Sequence, residues 1–241
     1  MNPVQAIGGF VQAHPFGVTV VHVAVLIVAL VVAREDLRDG WRRSPRSMWV
    51  GSVAAALLAL VVAALVIPTF ARHGWEGHES YYLDLFLGRD NDEMFGSALL
   101  TTPLLRLIYG ALALVPGVPP VSMVVVSLLF GAAAVWVSAQ LARVLTGSDV
   151  AGVVAGLLVA LHPHQAVWSS SAYQVILPFL LAVSSLLALV VARQRNSWRL
   201  YVLAGVVWTL AVATRIEYVF LAPGLAILIG LQGRLALRCW R

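Results

Sequence analysis

Apolar residues in this chain do not alternate with polar ones, and they do not fall on one face at helical spacing. They run in long blocks closed by charged or turn-forming residues. A helix crossing a bilayer needs such a block, about 20 residues long and apolar on every side. The first block predicts a span from Phe16 to Ala33, the second from Ser47 to Ala71, and the third from Val121 to Ala142. The uncharged stretch from Val150 to Ala192 is too long for one helix. It is interrupted by His162-Pro163-His164 and Ser169-Ser170-Ser171, which predicts two spans. The stretch from Leu200 to Gly233 is also too long for one crossing at about 1.5 Å per residue. Arg215 and Glu217 interrupt it, which predicts a helical hairpin turning near those charges. The expected fold is all-α, a polytopic transmembrane helix bundle of about seven spans.

Composition agrees. The 241 residues are 61% hydrophobic and 11% charged, where soluble domains are about a quarter charged. That excludes a soluble enzyme, a disordered chain and a disulfide-stapled module. The blocks are also too long and solid for an outer-membrane barrel. All 16 basic residues are Arg, giving a net charge of +5. In a membrane protein such a surplus reports orientation, and no nucleic-acid partner is expected. The single cysteine, Cys239, has no partner for a disulfide or a Cys-based zinc site.

Arginine placement orients the spans. Five Arg lie in Arg34–Arg46, three in Arg193–Arg199 and three in Arg234–Arg241, and Arg143 follows the third span. Seven spans put all of these on the cytoplasmic side, as the positive-inside rule asks. The segment 71–96 then faces outward, with Glu76, Glu79, Asp84, Asp90, Asp92 and Glu93 against Arg72 and Arg89. The segment 97–115 contains Pro103 and Arg106 and is expected to be an interfacial helix on the outer surface, with Arg106 towards headgroups. The first span has no basic residue before it and five Arg after its apolar core, which favours an uncleaved helix over a signal peptide. Gly152 and Gly156 form a small-xxx-small pair suited to close helix packing.

Chemistry concentrates in the outer loop, Arg72-His73-Gly74-Trp75-Glu76-Gly77-His78-Glu79-Ser80-Tyr81-Tyr82. A carboxylate held among aromatics at the membrane surface can serve as a general base. The bland alternative is a solvated loop whose acids balance Arg72 and Arg89. Arg215 and Glu217 are the other ionisable pair near membrane depth, where charge is costly and is usually paired or functional. They either meet a ligand or snorkel to the outer interface. His73, His78, His162 and His164 all fall on the outer side. Imidazoles suit a divalent metal, but no metal-ligand spacing such as HExxH occurs and no cofactor is expected. Most Trp and Tyr residues, including Trp168 and Tyr173, lie at span ends as an aromatic belt.

The Gly-x-Glu-Gly-His-Glu-x-x-Tyr stretch after a transmembrane hairpin resembles the first outer loop of the GT-C membrane glycosyltransferases. The branch it is most similar to is the dolichyl-phosphate-mannose–protein mannosyltransferase-like group, glycosyltransferase family 39. Gly152–Pro163, the Ser-rich turn and Ile176–Arg193 resemble that family's third and fourth spans. Ala213-Thr214-Arg215-Ile216-Glu217 followed by Leu221-Ala222-Pro223-Gly224 resembles its Thr-Arg-x-Glu … Pro segment. The resemblance covers roughly residues 45–235. It makes 1–46 an extra span with a cytoplasmic Arg-rich loop, and 47–241 a GT-C-like core.

The resemblance implies transfer of a sugar from a polyprenyl-phosphate donor to a lipid, glycan or protein acceptor. The enzyme would lie in the inner or plasma membrane and act on its outer face. The family's Asp-Glu pair falls on His78-Glu79, so Glu79 is the expected base, with Glu76 in reserve and His78 orienting the pair or acting as base itself. Arg215 is expected to meet the carrier phosphate, with Tyr81, Tyr82 and Arg106 in the substrate-binding set. Where the family often carries another acid, this chain reads Ala172-Tyr173-Gln174. The rival expectation is therefore a non-catalytic or degenerate relative that binds the carrier, or a scaffold or transporter-like bundle. Family members usually continue with further spans, so the resemblance implies an N-terminal half, truncated or short.

Overall fold

The computed structural model describes residues 15–42, 46–71, 108, 111, 121–170 and 175–221. Every regular element among them is helical: α1 (Pro15–Val32), α2 (Arg34–Arg42), α3 (Arg46–Ala71), α4 (Val121–Thr146), α5 (Asp149–Leu161), α6 (Pro163–Ser169), α7 (Ile176–Arg195) and α8 (Trp198–Thr214). A 3-10 segment, Ile216–Leu221, follows α8. On length and composition, α7 and residues Val124–Thr146 of α4 are long and apolar enough to cross a membrane. The bent pair α5 and α6 makes a third crossing if it counts as one span. Apolar stretches within α1, α3 and α8 are shorter. Among the described residues the protein is thus all-helical, and its apolar helices are those of an integral membrane protein. The predicted hairpin's second arm lies outside the described residues. So does the interfacial segment 97–115, apart from the helical Ile108 and Ala111.

Helix ends follow local chemistry. Ser148 caps α5, its hydroxyl accepting from the Ala151 amide at 3.3 Å, and Asp149 sits in the first turn where the helix dipole favours an acid. Ser197 caps α8 by accepting from the Leu200 amide. Asn196 closes α7 in the left-handed conformation, φ 51°. α4 runs past its predicted end at Ala142 to Thr146, because Arg143 is met by Asp149 at 2.7 Å.

α3, α4 and α5 pack against one another, α4 packs on α7, α7 on α8, and α8 on α1. Lipid is as apolar as leucine, so association depends on close approach rather than on hiding hydrophobic surface. The α3–α4–α5 seam shows this. It is built from Ala55, Ala59, Val135 and Ala160. A Cβ on Gly156 would stand 3.1 Å from Ala139 Cβ and 3.2 Å from Ala55 Cβ. Gly152 and Gly156 are both buried there, as the small-xxx-small spacing predicts. A buried hydrogen bond from Gln140 Nε2 to Ser52 Oγ, 3.3 Å, ties α4 to α3. The second apolar cluster joins α7 and α8 to α1 through Leu177, Leu181, Leu203, Leu210, Ala29 and Ala33. α1 is therefore packed on α8 as part of the bundle.

One end of the bundle gathers arginines. Arg195 donates to the Asp36 carbonyl, the Ser197 hydroxyl donates to Asp36 Oδ2 at 2.7 Å, and Arg199 pairs with Glu35 at 3.1 Å. Gln194 Nε2 donates to the Val144 carbonyl at 3.1 Å. Three of the four segments that arginine placement assigned to one side therefore meet in space; the fourth, Arg234–Arg241, lies outside the described residues.

Candidate functional site

α7 leads away from the arginine end to Ile176, α8 to Arg215, and α5 to His162. These three ends meet at the opposite end of the bundle. The apolar run of α5 stops there because Pro163 has no amide hydrogen and excludes its predecessor from helical geometry. His162 is accordingly extended, φ −67° and ψ 125°, and α6 leaves at 64° to α5.

A cleft of about 500 Å³ opens at this break. Leu158, Val159, Val175, Ile176 and Phe179 supply apolar walls. His162, His164, Gln165, Trp168 and Tyr218 supply polar and aromatic groups. The imidazoles of His162 and His164 lie stacked, centroids 5.5 Å apart. Gln165 is only 7% exposed. Its Nε2 donates to the Gly131 carbonyl at 3.0 Å and towards Ser169 Oγ at 3.2 Å, which ties α6 to α4.

Arg215 caps α8 in extended conformation and stands beside this cleft through Tyr218, three residues on. Its Nε–H donates to Glu217 Oε1 at 3.2 Å, with Arg215 partly and Glu217 largely exposed. A hydrogen bond to its own backbone amide holds the Glu217 carboxyl below the ordinary carboxylate range, and the Arg215 charge adds to this against some desolvation. Burial pushes the Tyr218 hydroxyl up, only partly opposed by the Arg215 charge. The phenol stays protonated at neutral pH, able to donate or accept.

Of the site residues read from sequence, the structure places Arg215 at the cleft end. Glu76, His78, Glu79, Tyr81, Tyr82 and Arg106 lie outside the described residues. So do Ala172, Tyr173 and Gln174. Among the described residues no group of three or more His, Cys, Asp or Glu side chains comes together to hold a metal. Sequence reasoning weighed His162 and His164 only as metal ligands and missed Gln165, Phe179 and Tyr218. Gln165 carried a usable signal, since an amide within an apolar stretch must find partners.

The helical bundle thus carries a cleft with polar and aromatic groups at one end, and Arg215 lies three residues before Tyr218 of its lining. Residues 101–239 match the family model described as dolichyl-phosphate-mannose-protein mannosyltransferase. That match spans more than half of the 241 residues, and the chain belongs to this family. Neither a curated protein nor a solved structure matches. The matched residues contain the cleft, α4 to α8 and Arg215, and they begin after the acidic loop that holds Glu76 and Glu79.

Proposed function

We propose that this protein transfers a sugar from a polyprenyl-phosphate carrier to an acceptor hydroxyl on the outer face of the membrane. In this reading the chain makes about seven crossings, with the arginine end in the cytoplasm and the cleft end outside. The observation that carries the reading is the family match running through the cleft and Arg215. Glu79 takes the acceptor proton, with Glu76 in reserve and His78 beside it. The acceptor oxygen then forms its bond to the anomeric carbon as the bond to the carrier phosphate breaks. The phosphate oxygen leaves with the electron pair, and the Arg215 guanidinium meets the growing charge. Arg106, Tyr81 and Tyr82 complete the substrate-binding set.

The acceptor stays open among lipid, glycan and protein. The test is sugar transfer by the full chain in lipid nanodiscs, supplied with radiolabelled mannosyl-polyprenyl phosphate. Glu79→Gln should lower transfer by about 100-fold or more, the range general-base catalysis contributes, while the protein stays folded and inserted. Full activity in that variant overturns the assignment of Glu79.

A second reading is a relative that binds the carrier without transferring its sugar. His78 in place of an acid, and the absence of a carboxylate in Ala172-Tyr173-Gln174, favour it. It predicts carrier binding with no transfer, and indifference to change at Glu76 and Glu79.

A further inference from the structure

Gln165, which lines the cleft, has one side-chain atom that nothing among the described residues meets. The Gly131 carbonyl can only accept, so the amide is fixed with Nε2 towards Gly131 and Oε1 away from it. Among the described residues no donor meets Oε1, and the side chain is only 7% exposed. A buried acceptor left unmet is costly, and this one belongs to a residue that lines the cleft. A partner must bring a hydrogen-bond donor. A phosphate or carboxylate brings acceptors only, and a hydrocarbon tail brings neither.

The rest of the wall narrows the choice. Trp168 offers an aromatic surface beside Gln165, and Tyr218 and the two imidazoles offer groups that both donate and accept. The remaining walls are apolar. The ligand that matches is neutral, with apolar C–H faces and hydroxyls around its edge. The cleft's volume of about 500 Å³ is within the usual range for a small-molecule site, about 300–1,000 Å³.

We infer that the cleft between the α5–α6 break and α7 is a carbohydrate-binding subsite: a pyranose ring lies against Trp168 and donates a hydroxyl to Gln165 Oε1. The inference depends on the sugar-transfer reading only for where the sugar comes from. That source is either the lipid-linked donor or a glycosylated acceptor.

The test uses the full chain in nanodiscs and three probes: mannosyl-polyprenyl phosphate, polyprenyl phosphate without sugar, and methyl α-mannopyranoside. Gln165→Met keeps the length of the side chain and removes the acceptor, and Trp168→Ala removes the platform. A lipid-linked source is shown if wild type prefers the mannosylated over the bare carrier and either variant loses that preference by about tenfold, as for one buried hydrogen bond. An acceptor source is shown if the preference survives and methyl α-mannopyranoside binding falls instead. Bare polyprenyl phosphate binding and the melting transition report whether each variant is folded. If Gln165→Met fails those checks, Trp168→Ala decides.

The subsite is overturned if folded variants bind all three probes as wild type does, or if wild type binds neither sugar probe. Loss of the sugar-transfer reading looks different: the bare carrier does not bind and no transfer occurs, while methyl α-mannopyranoside still binds in a Gln165-dependent way.

Discussion

Arg215 and Glu217 lie two positions apart, too close in sequence to meet across a regular helix. They meet because α8 ends at Thr214 and the backbone of Arg215 is extended. Glu217 takes the Nε–H, and a guanidinium fork has more donors than one carboxylate uses. Arg215→Lys keeps the charge and loses the fork. It should weaken carrier phosphate binding by about tenfold, and Arg215→Gln should weaken it further; equal affinity in all three proteins removes Arg215 from the phosphate site. Glu217 also predicts a pH dependence. Its folded carboxyl is more acidic than in the unfolded chain, so the stability it adds is present above the ordinary value of 4.5 and fades as pH falls through the lower folded value. Wild type and Glu217→Gln should therefore differ in melting temperature by a constant amount at neutral pH, and converge only in acid. Convergence above pH 5 would contradict this pairing. The side chain is 59% exposed, so the difference is small and screened by salt.

The helices themselves were largely legible as uncharged blocks. α1, α3 and α7 begin and end within a few residues of the predicted limits. The break at His162 was legible because Pro163 acts locally. What the blocks hid was facing. A helix apolar all round gives no stripe to say which side meets a neighbour, so Gln140 and Gln165 signalled a need for partners without naming Ser52 and Gly131. The 64° bend between α5 and α6 was hidden for the same reason, because it depends on what α6 packs against. Small residues are the exception, since Gly152 and Gly156 mark a face by what they lack. Gly156→Leu should destabilise the bundle by about 1–3 kcal/mol through overpacking against Ala55 and Ala139. Gly205→Ala in α8, where a Cβ meets nothing within 4 Å, should be neutral or stabilising by about 0.5–1 kcal/mol. Thermal unfolding of both variants in detergent micelles makes the comparison; equal effects would mean that the α3–α4–α5 seam is not tightly packed.

At the scale of the whole molecule, the arginine clusters and the cleft lie at opposite ends, about 30 Å apart along the 20 residues of α7. Charge alone foretold the first of these gatherings, because orientation acts on every arginine in the same way. It could not foretell the cleft, which needs three chain turns to converge. The orientation is testable with one thiol at each end. In a Cys239→Ser background, His164→Cys should react with a membrane-impermeant maleimide on intact cells. Glu35→Cys, whose parent side chain is 75% exposed, should react only after permeabilisation. Labelling of both from the same side would overturn the topology.

The contact between Ser197 and Asp36 joins residues 161 positions apart. Its hydroxyl also caps α8, so the bridge takes shape on a helix start that must already be in place. During synthesis the first helix of the chain enters the bilayer with its final neighbour still unmade. The α1–α8 contact cannot form until α8 has been made, so it draws Asp36 onto a part of the chain synthesised 161 positions later.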